Sequence, residues 1–132
     1  MVQREVADRF FARPGTKAYG AVSVLVQLAT ERTGFHPVSR TVFRPRPNVD
    51  SALVAFRRLP AARTWDRRRV KKVVTAAFAH RRKRLSNSLE LTGIATRDQA
   101  AAALEAIGRE PGVRAEELAP PEFVALAEAL DR

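Results

Sequence analysis

The stretch FRPRPNVDSALVAF, residues 43–56, decides the fold of the first half of the chain. It sets Pro45 and Pro47 one residue apart, followed by a turn and a partly alternating apolar run. Each proline fixes its own φ and restricts the residue before it, so the corner is rigid. The β-branched and aromatic residues that follow predict a strand from about Ala52 to Leu59. Asn48, Asp50 and Ser51 should initiate that strand through local hydrogen bonds from their side chains to the backbone.

The residues before this corner predict one helix and one further strand. Residues 1–11 are typical of the tail of a strand or a short helix, and after a Pro-Gly turn Thr16 is expected to cap a helix that ends near Gln27. A strand over residues 28–38, kinked at Gly34, would pair with the strand after the corner. The two predict a hairpin at the edge of a larger sheet. The helix face that should be apolar consists of Tyr19, Val22, Val26 and Ala29.

Beyond Pro60 the apolar spacing changes to a helical period. Thr64 or Asp66 is expected to cap one long helix that runs to Leu89 and is closed by Thr92 and Gly93. Its apolar face comprises Val70, Val74, Ala77, Phe78, Leu85 and Leu89. Two shorter helices should follow, over about residues 97–107 and 121–130, with Gly108 as a C-cap. The chain is therefore expected to divide into an α/β part, residues 1–60, and a small all-helical domain, residues 61–132.

The net charge of +10 is concentrated in the middle of the chain. Residues 57–84 hold twelve Lys or Arg and one acid, whereas residues 85–132 hold four and nine. Such a basic block favours a polyanionic partner, because neutralising phosphates releases condensed counterions. A solvated helix face is the alternative interpretation, but one acid leaves little scope for internal pairing.

Two basic clusters within this block are the candidate phosphate contacts. The first comprises Arg81, Arg82, Lys83 and Arg84, which would cover nearly a full helical turn, with Asn87 in reach of backbone or sugar. The second comprises Arg67, Arg68, Arg69, Lys71 and Lys72. Trp65, between the two parts of the chain, is expected to be a packing anchor.

Composition also excludes several classes of protein. The absence of cysteine removes disulfides and thiolate metal sites and fits a reducing compartment. No metal site is expected, since His36 and His80 have no carboxylate at ligand spacing. No apolar run is long enough for a membrane span. With the lack of cysteine, the cytoplasm is the expected compartment, and we expect a monomer.

Five blocks, in order, give the chain a family resemblance: MVQREVADRF, PGTKAYGAVSVLVQ, FRPRPNVDSALV, AAFAHRRKRLSNSL and VRAEELAPPEFVALAEAL. Together they resemble the C-terminal half of the KsgA family of rRNA adenine N6-dimethyltransferases. The resemblance implies the C-terminal part of a class I, Rossmann-like methyltransferase sheet, followed by a small helical domain that docks on rRNA. It also implies methyl transfer from S-adenosylmethionine to two adjacent adenines of 16S rRNA in the immature small subunit.

Two elements of that family are missing from the sequence. No two glycines lie two residues apart, so there is no G-x-G loop for S-adenosylmethionine, and there is no N-[LP]-P-Y element for the target amine. We therefore expect a truncated chain that does not catalyse alone. The alternatives are a stand-alone RNA-binding or ribosome-assembly protein, and a macrolide-resistance 23S rRNA methyltransferase fragment, which the R-R-K-R-L-S-N-S-L block disfavours.

Phe43 is the candidate catalytic-site residue that the resemblance implies. It matches an aromatic beside the target-base pocket, where a flipped adenine needs a flat apolar partner. The alternative is a core aromatic that caps the sheet.

Overall fold

The computed structural model describes residues 1–42, 49–59 and 65–131, and shows a small antiparallel sheet followed by a helical half. Both elements expected in residues 1–11 are present, because a two-residue strand leads directly into a helix. The strands are β1 (Val2–Gln3), β2 (Thr30–Val38) and β3 (Ser51–Arg58). The helices are α1 (Arg4–Phe10), α2 (Ala21–Ala29), α3 (Arg67–Phe78), α4 (Leu85–Leu91), α5 (Arg97–Ala106) and α6 (Pro120–Leu130).

The sheet has the order β1-β3-β2, with β3 antiparallel to both neighbours. The predicted hairpin of β2 and β3 is confirmed, with its register shift between Arg32 and Gly34. Asp50 fastens the start of β3: its carbonyl accepts from Arg4 N at 2.9 Å, and its carboxylate accepts from Arg40 N at 2.9 Å. Asp50 thus makes a side-chain to backbone bond at the start of β3 as predicted, but to a residue ten positions earlier in the chain instead of within its own turn. Asn48 lies outside the described residues.

The helix predicted from Thr16 begins later and buries a different face. Its N-cap is Gly20, while the Thr16 hydroxyl instead donates to Arg13 O at 2.7 Å. The Ser23 hydroxyl accepts from Gly20 N at 3.1 Å, so the first turn forms there. Val22 is 51% exposed. The buried face comprises Ser23, Val24 and Leu28.

The prediction of a single long helix from Asp66 to Leu89 is wrong. Asp66 is its N-cap as predicted, but α3 ends at Phe78 and α4 begins at Leu85. The Ser88 hydroxyl explains the break, because it donates to Ala76 O at 2.6 Å and accepts from His80 N at 3.2 Å. These bonds occupy backbone groups that would otherwise continue α3, and the chain turns between the two helices.

The two remaining helices form close to the predicted positions. Thr96 and Gln99 make a reciprocal capping box at α5, with hydrogen bonds of 3.1 and 3.0 Å. Gly108 follows α5 at φ 83°, as its predicted C-cap role requires. The last helix begins at Pro120, one residue before the predicted start. Proline is tolerated at this position because the N–H groups of the first turn have no intrahelical partner.

One hydrophobic core joins α2 to the helical half. Tyr19 is fully buried, and its ring packs edge to face on Phe78 with the ring centroids 5.9 Å apart. The ring centroids of Phe78 and Phe123 are 5.7 Å apart. The Tyr19 hydroxyl donates to Leu118 O at 2.6 Å. Burial raises the pKa of the Tyr19 phenol, so the hydroxyl keeps the proton that it donates.

Candidate nucleic-acid interface

The candidate cations lie in two groups, at opposite ends of α3. The α3 patch comprises Arg67, Arg68, Lys71 and Lys72, and the basic turn comprises Arg81, Arg82, Lys83 and Arg84. All eight residues are exposed. The patch occupies the first half of this 12-residue helix and the turn follows its end, so the second half of α3, about 9 Å long, separates the two groups.

The α3 patch begins at the capped end of its helix. One carboxylate oxygen of Asp66 accepts from Arg68 N at 3.0 Å and from Arg69 N at 3.2 Å, which fixes the first turn. Arg69 differs from its neighbours, because it pairs with Asp131 at 3.0 Å. Cations in a first helical turn face the positive end of the helix dipole, which costs roughly 0.3–1 kcal/mol each. An external anion at Arg67 and Arg68 would offset that cost.

The basic turn is held in place by neighbouring backbone. Lys83 N donates to His80 O at 2.9 Å, and Leu85 N donates to Val113 O at 3.0 Å. The Ser88 hydroxyl, fully buried, joins this turn to the end of α3. The sequence analysis placed Ser88 inside one long basic helix and did not predict this role. A serine four residues after a run of cations, inside a predicted helix, is the only signal that could have pointed to it.

Arg81 extends away from the other three cations, toward the chain before α2. Its guanidinium donates to Lys17 O at 2.6 Å and to Tyr19 O at 2.9 Å, and lies 4.0 Å from the Glu116 carboxylate. Arg81 therefore fastens the turn to the segment preceding α2. Its RNA contact stays a prediction.

Replacing Arg81 by methionine should destabilise the fold, because two backbone carbonyls lose a charged donor. We expect the free energy of unfolding to fall by about 1–3 kcal/mol, measured by urea denaturation. Arg82→Met is the matched control and should change it by less than about 0.5 kcal/mol. Equal stabilities of the two variants would contradict the fastening role.

The three remaining cations of the basic turn are available to a ligand. Arg82, Lys83 and Arg84 have no ion-pair partner among residues 1–42, 49–59 and 65–131. Arg84 passes beside Gly112, whose missing side chain leaves the guanidinium 3.9 Å from an ideal Cβ position. Asn87 is half-buried in the first turn of α4. These four residues lie within a six-residue stretch of the sequence, and the α3 patch is a second group.

The acidic excess of the C-terminal segment is used partly in internal contacts. Arg109 donates two hydrogen bonds to the Glu122 carboxylate, at 2.5 and 2.6 Å, and Ala119 N donates a third at 2.9 Å. The hydrogen bond from Arg109 is the main reason that the pKa of Glu122 is lowered. This pair fixes the start of α6.

Stability should therefore fall in acid through Glu122. A lowered folded-state pKa means that the contribution is fully present above the ordinary carboxyl pKa and is lost as pH falls through the folded value. Glu122→Gln should show less loss of melting temperature than the wild type on acidification below about pH 4.5. Glu128→Gln, an exposed control, should follow the wild-type profile. Superimposed profiles of wild type and Glu122→Gln would contradict this account.

The described residues do not fit an S-adenosylmethionine site. Gly15, Gly93 and Gly108 have positive φ, but each occupies a single turn and none has a second glycine two residues away. A cofactor cradle needs several such positions in one loop.

Three further predictions concern Phe43, metal binding and membrane spans. Phe43 lies outside the described residues, and its stacking role stays a prediction. Within the described ranges there is no group of three metal-ligating side chains. No helix in that part of the chain has the length and apolar character to cross a bilayer.

Comparisons with known proteins give a consistent result. A family model described as ribosomal RNA adenine dimethylase matches residues 1–131. A ribosomal RNA small subunit methyltransferase A of Rubrobacter xylanophilus is 50% identical over 96% of this chain and 47% of its own length. The corresponding protein of Lactiplantibacillus plantarum is 47% identical over 98% of this chain and 46% of its own. The chain thus spans about half the length of these curated relatives.

Two solved structures share the fold. A dimethyladenosine transferase from Plasmodium falciparum matches 94% of this chain and 53% of its own, with a TM-score of 0.78 and 20% identity. The 23S rRNA methyltransferase ErmE matches 98% of this chain and 52% of its own, with a TM-score of 0.61 and 27% identity. The predicted fold class, the C-terminal part of a class I methyltransferase sheet with a helical domain, is confirmed.

Proposed function

The chain belongs to the ribosomal RNA adenine dimethylase family, and we propose that it forms the part of an rRNA adenine N6-dimethyltransferase that docks on small-subunit rRNA. The activity would transfer methyl groups from S-adenosylmethionine to two adjacent adenines of a 16S-type hairpin. Residues 61–132 would form the docking domain, and residues 1–60 would belong to the methyltransferase domain.

The observation that carries the proposal is the basic turn. Arg82, Lys83 and Arg84 are exposed on a turn that is held at both ends. Leu85 N donates to Val113 O, between α5 and α6, and the Ser88 hydroxyl accepts from His80 N and donates to Ala76 O of α3. Holding the cations in place before RNA arrives lowers the entropy lost on binding. Guanidinium forks also match phosphate oxygens in geometry. Contacts of this kind position RNA without reading its bases, so a preference between two hairpins must come from their shape.

The same chain is not proposed to transfer methyl groups by itself. Positioning of cofactor and amine accounts for much of the barrier reduction in such reactions, and the sequence has neither the G-x-G loop nor the N-[LP]-P-Y element. Methylation of immature small subunits by the purified 132-residue chain would overturn this part of the proposal.

Two hairpins test the assignment to the small subunit. The relatives at 50% and 47% identity are small-subunit enzymes by name, whereas ErmE at 27% is a 23S enzyme. We expect the purified chain to bind a small-subunit hairpin more tightly than a 23S-derived hairpin of equal length, measured by fluorescence anisotropy at matched salt. Tighter binding of the 23S hairpin would favour the macrolide-resistance type instead. Failure to bind either RNA would contradict RNA docking altogether.

A further inference from the structure

A cleft of about 420 Å³ opens where α2, the end of β3 and the start of α3 meet. Its volume lies within the range of roughly 300–1,000 Å³ that is usual for small-ligand pockets. The cleft shares Arg67 and Lys71 with the α3 patch, but its other lining residues belong to neither basic group. The lining residues are Leu25, Leu28, Ala29, Arg58, Leu59, Trp65, Arg67 and Lys71.

The inner part of the cleft is apolar. Leu28 is 4% exposed and belongs to the core, and Leu25 and Trp65 pack against that core while remaining partly accessible. Leu59 completes this surface where its N–H donates to Ala29 O at 2.8 Å, joining the end of β3 to the end of α2. A flat, apolar ligand would bury its faces there without leaving a polar group unpaired.

The rim of the cleft is positively charged. Arg58, Arg67 and Lys71 line it, and none has an ion-pair partner within the part of the chain that the structure describes. None of the described residues that line the cleft is acidic. Three unpaired cations around an apolar interior are complementary to a group that is flat and apolar in the middle and anionic at its edges.

We propose that this cleft accepts one unstacked nucleobase of the bound RNA, with the flanking phosphates on Arg58, Arg67 and Lys71. The proposal rests on the RNA-docking function proposed above, and it adds Arg58 and Trp65 to the residues that contact RNA. Single-stranded nucleic acid is commonly held in this way, by an aromatic or apolar surface for the base and cations for the backbone. Because Arg67 and Lys71 also belong to the α3 patch, RNA on that patch passes the mouth of the cleft.

Trp65 gives the test a direct readout, because it is the only tryptophan in the chain. Oligouridine, an unstructured single strand, should change its fluorescence saturably when titrated into the full 132-residue chain. Binding of labelled oligouridine to Trp65→Ala, followed by anisotropy, should be weaker by roughly tenfold.

A rim variant separates the cleft from general electrostatic attraction and leaves the core untouched. Arg58→Gln, Arg67→Gln and Lys71→Gln together should weaken oligouridine binding at least tenfold and abolish the tryptophan signal. The control carries Arg13→Gln, Arg97→Gln and Arg114→Gln, which remove the same charge from exposed positions elsewhere. It should keep both the affinity for oligouridine and the tryptophan signal. Hairpin binding with no tryptophan response, or equal behaviour of the two triple variants, would overturn the cleft and leave RNA docking standing. Absence of any RNA binding would overturn both.

Discussion

Replacing Arg82, Lys83 and Arg84 together by glutamine will weaken binding of the small-subunit hairpin by roughly 100-fold at about 0.1 M salt. Each phosphate contact that is lost removes the release of about one counterion, so the slope of log affinity against log salt should fall by roughly two to three. Their exposure and lack of ion-pair partners in the described ranges predict that the fold is unaffected. Anisotropy with a labelled hairpin at several salt concentrations measures both quantities.

The matched control again carries Arg13→Gln, Arg97→Gln and Arg114→Gln, with the same change in net charge. It should retain nearly the wild-type slope, since those positions lie outside both basic groups. Thermal melts of the two triple variants should agree with the wild type. If the control loses as much affinity as the variant of the basic turn, then the binding reflects net charge alone.

Tyr19→Ala is expected to have the largest effect on stability, a loss of about 3–5 kcal/mol. Tyr19 is fully buried, and its ring meets Phe78 in the middle of the core. Removing it leaves a cavity between α2 and the helical half and also an unpaired carbonyl at Leu118. Since domains of this size are stable by only about 5–15 kcal/mol, much of the variant should be unfolded at moderate urea concentrations.

Tyr19→Phe separates the ring from its hydroxyl. It retains the volume and loses the 2.6 Å hydrogen bond to Leu118 O, so we expect a smaller loss of about 1–3 kcal/mol. Urea denaturation followed by circular dichroism gives both values. A Tyr19→Ala protein as stable as the wild type would show that α2 and the helical half do not share a core.

Much of the fold followed from local patterns. The proline corner and the alternating run after it predicted β3 within one residue at each end, because strand period and turn chemistry act over short distances. Asp66 and Gly108 were predicted as caps for the same reason. The basic block could be located from the sequence alone, and the polyanionic partner that it favours stays a prediction.

The form of the basic turn could not be predicted, because distant contacts determine it. Helical periodicity continues through residues 79–84, yet the Ser88 hydroxyl bonds to Ala76 O and His80 N and ends α3 early. Arg81 looks like its neighbours in the sequence, but the segment before α2 supplies carbonyls that accept its hydrogen bonds. The cleft at Trp65 likewise requires α2, β3 and α3 to meet in space.

The measurement that tests the central claim most directly is the salt dependence of small-subunit hairpin binding by the purified wild-type chain, with binding of labelled S-adenosylmethionine measured in parallel. We predict that affinity falls steeply with salt, with a slope of magnitude about three or more, from the three cations of the basic turn and the α3 patch. No cofactor binding should accompany it. Affinity independent of salt, or clear binding of the cofactor by this chain, would contradict the account.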